Sequence, residues 1–375
     1  MRILHLITRL DGGGSAVNTL LSATAQAAEG HLVVVGCGES LESAMGPAET
    51  ATLNDLLARL HAAGGEVRRL PHLRRAPGLH DLFALLEIRR LIGEGFDLVH
   101  THTSKAGALG RLAAWYKVAA VVHTPHGHVF HNYFSPLTTR IYILIERYLS
   151  WHCDALVALT RAERDDHLAL GIGHPGQWRI IPSGVDVAGI RARVAELRRQ
   201  QSGERWLAIS VGRLEPVKGM DRLVRAWALV VRAQPEARLA IVGDGAEREF
   251  LQRLAAEYGV GERIDFLGYA DPVPILASSR LFVLLSRNEG MGRVVVEAMA
   301  AGLPCVVNEV CGLSELVDAA VGSCVDAEDA DAVAAAILSD WPSSQRDEAR
   351  RRAERYSTDS MVAALRQLYR QVMHG

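Results

Sequence analysis

LFVLLSRNEGMGRVVVEAMAAGLPCVVN, residues 281–308, holds a strand, a loop, a helix and a second strand in one stretch. Leu281–Leu285 is an unbroken apolar run, too short for a buried helix and of the right length for a buried strand. Ser286-Arg287-Asn288-Glu289-Gly290-Met291-Gly292 follows as a polar, glycine-containing loop. About Gly292–Ala301 reads as helix, and Pro304–Asn308 as the next strand. Two all-apolar strands flanking one helix predict a parallel βαβ unit, covered on both faces.

The same alternation extends to both sides. Downstream of residue 205, strands are predicted at Trp206–Val211, Leu239–Val242 and Ile264–Leu267, separated by helices over 220–233, 246–258 and 272–279. In the first half, strands at Ile3–Ile7, Leu32–Val35, Leu98–Thr101, Ala119–Thr124 and Ala155–Leu159 alternate with helices over 16–28, 53–63, 79–92, 106–115 and 137–152. Ile180–Asp186 (IIPSGVD) breaks the rhythm with Pro and Gly before a charged helix over 187–201. The chain therefore reads as two α/β halves joined near residue 182, in keeping with its 375 residues.

Composition narrows the function class. The balance of 41 basic and 43 acidic residues, net −2, excludes a dedicated nucleic-acid binder. Hydrophobic content of 49% and aromatic content of 6% describe a globular enzyme rather than a disordered chain. The five cysteines are odd in number and lack paired-motif spacing, which argues against a disulfide framework or a zinc ribbon. The N-terminal apolar stretch is too short and interrupted for a signal peptide, and no apolar run reaches membrane-spanning length. The expectation is a cytoplasmic protein, at most peripheral on the membrane face.

In open α/β sheets, ligands sit beyond the carboxyl ends of the strands. In the loop after 281–285, Gly290, Met291 and Gly292 precede a helix start, where exposed N–H groups favour an anion. Glu289 lies in that loop and Glu297 in the helix, among Val294–Val296, Ala298 and Met299. A carboxylate there is either a solvated helix residue or a bidentate partner for two sugar hydroxyls, and its apolar surroundings favour the second. After Trp206–Val211 come Arg213 and Lys218, two cations suited to a diphosphate; Lys218 stands out because the chain has only three lysines. Val242-Gly243-Asp244-Gly245 and Phe266-Leu267-Gly268-Tyr269 are weaker turn signals at two further strand ends.

Near the N-terminus, Gly12-Gly13-Gly14-Ser15 follows the first strand directly, as a phosphate-approaching loop would, but it is not GxGxxG and no P-loop is present. His123, His126, His128 and His131 lack the spacing of a metal site, so no metal is expected; His126 reads better as a hydrogen-bonding group toward substrate. His100, His102 and Lys105, after another strand, suit acceptor-side contacts. Asp165-Asp166 and the acidic run 326–331 read as solvated faces.

These stretches together resemble the retaining glycosyltransferases of family 4, group 1. The most specific are SRNEGMGRVVVEAMAAGLPCVV at 286–307 and VGRLEPVKGMDRLV at 211–224, joined by IVGDGAER at 241–248, FLGY at 266–269, IPSGVD at 181–186 and HTPHGHVFH at 123–131. The resemblance implies a GT-B fold: two Rossmann-like α/β domains facing across a cleft, over 1–182 and 183–355, with a final helix over 356–375 packing back on the N-terminal domain. It implies that Arg213 and Lys218 stabilise the departing diphosphate and that Glu297 holds the ribose. Glu289 and His126 would contact the donor sugar, Leu267–Tyr269 the base, and Gly13 and Gly14 would permit close approach. Catalytic roles then fall to His126, Glu289, Arg213 and Lys218.

The implied reaction moves a hexose or N-acetylhexosamine, with retention and without metal or cofactor, from a nucleotide-diphosphate sugar to a glycan or lipid-linked acceptor. A UDP-sugar is the favoured donor, and cell-surface polysaccharide or glycoconjugate biosynthesis the favoured setting. A sugar-nucleotide 2-epimerase of the same architecture is the alternative. Leu137–Trp151, with Arg140 and Arg147, and the upstream Arg68, Arg69, Arg74 and Arg75 admit two readings. One is contact with an anionic inner membrane; the other is a core-facing helix and solvated arginines.

Overall fold

The computed structural model describes residues 1–39, 45–116, 118, 120–127, 135–200 and 203–374. His128, His131 and Lys117 lie outside the described residues. The chain divides into two compact units, Met1–Gly184 with Thr358–Gly375, and Val185–Ser357. The dividing points fall after Gly184 and after Ser357, where Val185 donates its N–H to the Tyr356 carbonyl at 2.9 Å.

The first unit holds a seven-stranded sheet of β1 (Arg2–Ile7), β2 (Leu32–Cys37), β3 (Glu66–Arg69), β4 (Leu98–His102), β5 (Ala120–Thr124), β6 (Ala155–Ala158) and β7 (Trp178–Ile180). Its order is β3-β2-β1-β4-β5-β6-β7, and the pairs are parallel. The inner strands are buried along nearly their whole length, as both-face helix cover requires. On one face Ile3, Val33, Val35, Leu98 and Val122 pack with helices Gly14–Ala28 and Thr358–His374. That C-terminal helix contributes Met361, Val362, Leu365, Leu368 and Tyr369, so the end of the chain completes the core of its beginning.

The second unit holds a six-stranded parallel sheet of β8 (Trp206–Val211), β9 (Leu239–Val242), β10 (Ile264–Gly268), β11 (Ser279–Leu284), β12 (Cys305–Asn308) and β13 (Gly322–Val325). The order is β10-β9-β8-β11-β12-β13. Helix Met220–Ala233 seals one face with Leu223, Val224, Ala226, Trp227 and Val230.

Several elements had no apolar signature strong enough to read. Strand β3 (EVRR) is an edge strand with one apolar residue. The helix Arg161–Ala169, over the stretch expected to be a solvated face, buries only Glu163 and His167 and is started by Thr160, whose hydroxyl accepts from Glu163 N–H at 3.1 Å. The helix Ser343–Ala353 buries only Ala349 and Ala353. Cys37, Cys153 and Cys305 are buried free thiols.

Candidate active site

Each sheet has one point where its strand order reverses, and the chemically informative residues gather there. In the second unit that point lies between β8 and β11. The loop after β8 carries Lys218 and the loop after β11 carries Glu289, and Lys218 Nζ donates to Glu289 Oε2 at 2.6 Å. Ser286 Oγ donates to the same oxygen at 3.2 Å. Ser286 is itself fixed, since Asn308 Nδ2 donates to its carbonyl at 2.8 Å.

The two loops are stitched together behind this pair. Arg287 donates its backbone N–H to Val217 O at 2.8 Å, and its guanidinium grips Asp221 with two bonds of 2.8 Å. Burial raises the Asp221 carboxyl, but the fork of Arg287 outweighs it and holds the group below the usual carboxylate range. Gly219 closes the β8 loop at φ +64, and a Cβ there would stand 2.1 Å from Leu285 O, so only glycine lets Lys218 approach the β11 loop.

Helix Arg293–Ala300 starts from Gly292 at φ +73, and the Met291 side chain points inward, 3% exposed. Glu297 is half-buried on this helix. Burial raises its carboxyl, Arg293 one turn earlier counters that rise and Asp271 adds to it. Arg213 is well exposed and pairs with Glu215 at 3.0 Å, within its own loop. Gly268 (φ +66) accepts from Gly243 N–H at 2.8 Å, and Tyr269 is partly exposed beside it. The structure thus brings Lys218 and Glu289 into contact and leaves Arg213 in a separate ion pair.

In the first unit the reversal lies between β1 and β4. Helix Gly14–Ala28 starts after Gly13, whose N–H donates to Asp11 Oδ1 at 2.9 Å; Asp11 pairs with Arg9 at 2.8 Å. His126, after β5, is half-buried with φ +62, a strained value for a residue with a side chain. The strain is held by the buried Glu163, whose carboxylate accepts from Gly127 N–H at 2.7 Å and Leu159 N–H at 2.6 Å.

His100 and His102 are each 1% exposed, which corrects their reading as acceptor-side contacts. They belong instead to a hydrogen-bonded cluster. His5 bonds Gln26 Oε1 at 2.7 Å and His102 at 2.9 Å; His102 continues to His126 at 2.9 Å. His100 bonds the Tyr369 hydroxyl at 2.6 Å and Thr124 at 2.8 Å. His5, His100 and His102 each place a ring nitrogen within 4.8 Å of the others, the spacing of a metal ligand set. Every one of those six nitrogens already has a hydrogen-bond partner, so the donor set fits a relay better than a cation site. Burial depresses His5 to about 4 and lowers His100 and His102 well below the ordinary value.

Sequence reasoning missed His5, Gln26, Tyr369, Glu163, Asp221 and Ser286. Arg287, like Ser286 in the same loop and Asp221 in the stretch 211–224, was quoted but given no role. The Thr160-x-x-Glu163 capping pattern was a usable signal for Glu163. His5 and Gln26 carried none, because besides each other they meet His102 and Tyr369, 97 and 343 positions away.

Two doubly wound parallel units carry polar groups at both reversal points, where open α/β sheets bind their ligands. The family profile "Glycosyl transferases group 1" matches residues 195–359, and "Glycosyl transferase 4-like domain" matches residues 13–184. The chain belongs to the group 1, family 4-like glycosyltransferases. It is 30% identical to an Escherichia coli UDP-Gal:alpha-D-GlcNAc-diphosphoundecaprenol alpha-1,3-galactosyltransferase, over 64% of this chain and 65% of that protein. It is 32% identical to a GDP-mannose-dependent alpha-(1-6)-phosphatidylinositol monomannoside mannosyltransferase of Mycolicibacterium smegmatis, over 67% of this chain and 69% of that one. Among solved structures, Anabaena Alr3699/HepE in complex with UDP superposes with TM-score 0.80 at 22% identity, covering 99% of this chain and 100% of its own. The sucrose-phosphate synthase of Thermosynechococcus elongatus superposes at 0.79 and 24% identity, covering 99% of each chain. The GT-B fold expected from the sequence is thereby shown.

Proposed function

We propose that the protein is a retaining, metal-independent glycosyltransferase that moves a hexose or N-acetylhexosamine from a nucleotide-diphosphate sugar, preferentially a UDP-sugar, to a glycan or lipid-linked acceptor. The observation that carries this reading is the Lys218–Glu289 contact at the β8/β11 reversal point, beside the helix start at Gly292. Lys218 and that helix start supply positive potential for a diphosphate, with Arg213 as a second cation. Glu289 serves the sugar, Glu297 the ribose, and Gly268 and Tyr269 the base. Gly290, Met291 and Gly292 contribute backbone; Gly13 and Gly14 allow close approach in the first unit, whose sugar-contacting group is His126.

Chemically, the anomeric C–O bond breaks with its electron pair going to the diphosphate, whose charge Lys218 and Arg213 stabilise. The acceptor oxygen bonds to the same face of the anomeric carbon, and its proton passes to the departing phosphate oxygen. The UDP-sugar preference and a lipid-linked acceptor draw support from the galactosyltransferase relative, whose name gives UDP-Gal as donor and a diphosphoundecaprenol-linked GlcNAc as acceptor. The mannosyltransferase relative keeps GDP-mannose among the donors to be offered. The relatives are named as transferases, which puts transfer ahead of epimerisation.

The apolar face of helix Pro136–Ser150 supports a membrane-held acceptor. Leu137, Ile141, Leu144, Ile145 and Tyr148 are exposed along one stripe, with Trp151 just beyond, while Glu146 and Leu149 face inward. The helix also packs inward through Glu146, Leu149 and Ser150, as the core-facing reading expects, and the exposed stripe is what supports the membrane reading. Arg140 is exposed along one edge of the stripe, which suits an anionic lipid surface, whereas Arg147 on the same edge donates from Nε to the Leu170 carbonyl at 2.5 Å. Arg68 and Arg69 drop out of the basic patch: Arg68 pairs with Glu66, and Arg69 donates to Gly38 O at 3.3 Å. Among the described residues no helix is long and apolar enough to cross a membrane.

The test is donor-dependent release of nucleoside diphosphate with EDTA present. UDP-glucose, UDP-galactose, UDP-N-acetylglucosamine and GDP-mannose are offered with and without bacterial lipid extract, and the product anomer is read by NMR. Extract-stimulated release from one donor with an α-linked product is expected. Conversion of a donor to its 2-epimer without acceptor would replace the transferase reading.

A further inference from the structure

The candidate sugar-contacting histidine ends a chain of side chains reaching into the core of the first unit. Its other end is Gln26, on helix Gly14–Ala28. The Gln26 amide has two faces: Oε1 meets His5 Nε2 at 2.7 Å, and Nε2 meets the Tyr369 hydroxyl at 3.4 Å. That orientation dictates every proton beyond it. His5 must donate from Nε2 to the amide oxygen, which leaves His5 Nδ1 to accept. His102 therefore donates from Nε2 to His5 Nδ1 at 2.9 Å and accepts at its own Nδ1. His126 then donates from Nε2 to His102 Nδ1 at 2.9 Å.

The branch in the other direction is consistent with the same amide. Gln26 Nε2 donates to the Tyr369 oxygen; Tyr369 donates to His100 Nδ1 at 2.6 Å, and His100 Nε2 donates to Thr124 Oγ1 at 2.8 Å. The two branches assign one donor and one acceptor to each of these contacts, and burial holds the rings of His5, His100 and His102 in the neutral form near pH 7.

We propose that His102, His5 and Gln26 are positioning residues that hold His126 in the Nε2–H tautomer, so that its Nδ1 is the acceptor atom of the ring. The role given to His126 rests on the transferase reading; the tautomer does not. An acceptor nitrogen suits a sugar hydroxyl that donates to it, whereas the opposite tautomer would present a donor in its place. Flipping the Gln26 amide reverses every bond as far as His126, so one amide on one helix sets the polarity of a group three side chains along. A third residue that fixes tautomer and orientation acts in the same way in other histidine-dependent sites. Because Tyr369 belongs to the C-terminal helix, that helix completes the orienting network as well as the core.

The experiment uses the full chain labelled with 15N-histidine, with His126 resonances identified by their loss in His126→Ala. Two-bond 1H–15N correlation spectra read each tautomer directly, with no substrate. A protonated Nε2 and an unprotonated Nδ1 on His126 are expected; the reverse pattern, or a doubly protonated ring near pH 7, overturns the proposal. His102→Leu and His102→Asn then separate positioning from packing, with folding of both checked by circular dichroism. The Asn Oδ1 takes the place of ring Nδ1, so His102→Asn should keep the His126 tautomer and most of kcat. His102→Leu should randomise the tautomer and lower kcat about 10²-fold with little change in donor KM. Equal loss in both variants, or loss confined to KM, shows a structural role and overturns it. Wild type inactive with every donor but carrying the expected tautomer defeats the transferase reading alone; an active wild type with the reverse tautomer defeats the relay alone.

Discussion

Lys218 and Glu289 meet at 2.6 Å across the two loops that flank the β8/β11 reversal point, although 71 positions separate them in sequence. Under the proposed function, a diphosphate near Lys218 would share its three N–H donors with Glu289 and weaken the hold of that ammonium on the carboxylate. The pair is a contest between an internal and an external anion for one ammonium.

Lys218→Ala should lower kcat/KM for nucleoside-diphosphate release by about 10²–10³-fold, as loss of one preorganised charge contact does. Glu289→Gln should cost less, because it keeps a hydrogen-bonding group for the sugar. Because the residues touch, the double variant should lose less than the product of the single losses. Steady-state kinetics of the three variants checks this, and strictly multiplicative losses would show that the contact has no part in donor handling.

Folding stability should fall as pH drops below neutrality. His5 lies near pKa 4 in the folded chain against 6.5 ordinarily, and burial also lowers His100, His102 and His123. Between those values the unfolded chain binds more protons than the folded one, so stability rises with pH through the window and is lost on acidification. His5 alone accounts for about 3 kcal/mol across it. Urea unfolding at about pH 7.5, 6 and 5 should show a midpoint falling stepwise, where a constant midpoint would mean that the rings are not neutral and buried.

Arg111 is fully buried and donates from Nη2 to both oxygens of Glu146 at 2.8 Å, and from Nε to Gly107 O at 2.9 Å. Arg111→Met strands Glu146 without its counter-charge and should cost about 3–5 kcal/mol. Adding Glu146→Leu should recover much of that loss, because the pair then leaves together. Thermal unfolding of the single and double variants reads both steps.

Leu144→Asp and Ile141→Asp alter exposed positions on helix Pro136–Ser150. Each should abolish flotation with vesicles containing anionic lipid while changing folding stability by no more than about 0.5 kcal/mol. Flotation equal to wild type would remove the membrane from the proposed function.

Much of the fold was legible because apolar strands and amphipathic helices alternate plainly. Trp206–Val211 and Leu239–Val242, and the helix over 220–233, lie where the apolar runs place them. Strand β3 and helix Ser343–Ala353 were not legible, since edge elements bury too little to leave a pattern. Lys218 and Glu289 stood out by rarity and loop position, whereas their contact did not.

The sequence by itself therefore determined the two α/β halves, the loops after each strand, and the chemical types available in those loops, because periodicity and glycine placement are local properties. Only the tertiary structure decided which of those groups meet. It seated Tyr369 in the core of the first unit, joined His5 to His102 and His102 to His126, and turned the apolar stripe of helix Pro136–Ser150 to solvent while burying Glu146 against Arg111. Strand order and register settle such pairings, and they follow from burying the whole sheet at once rather than from any one segment.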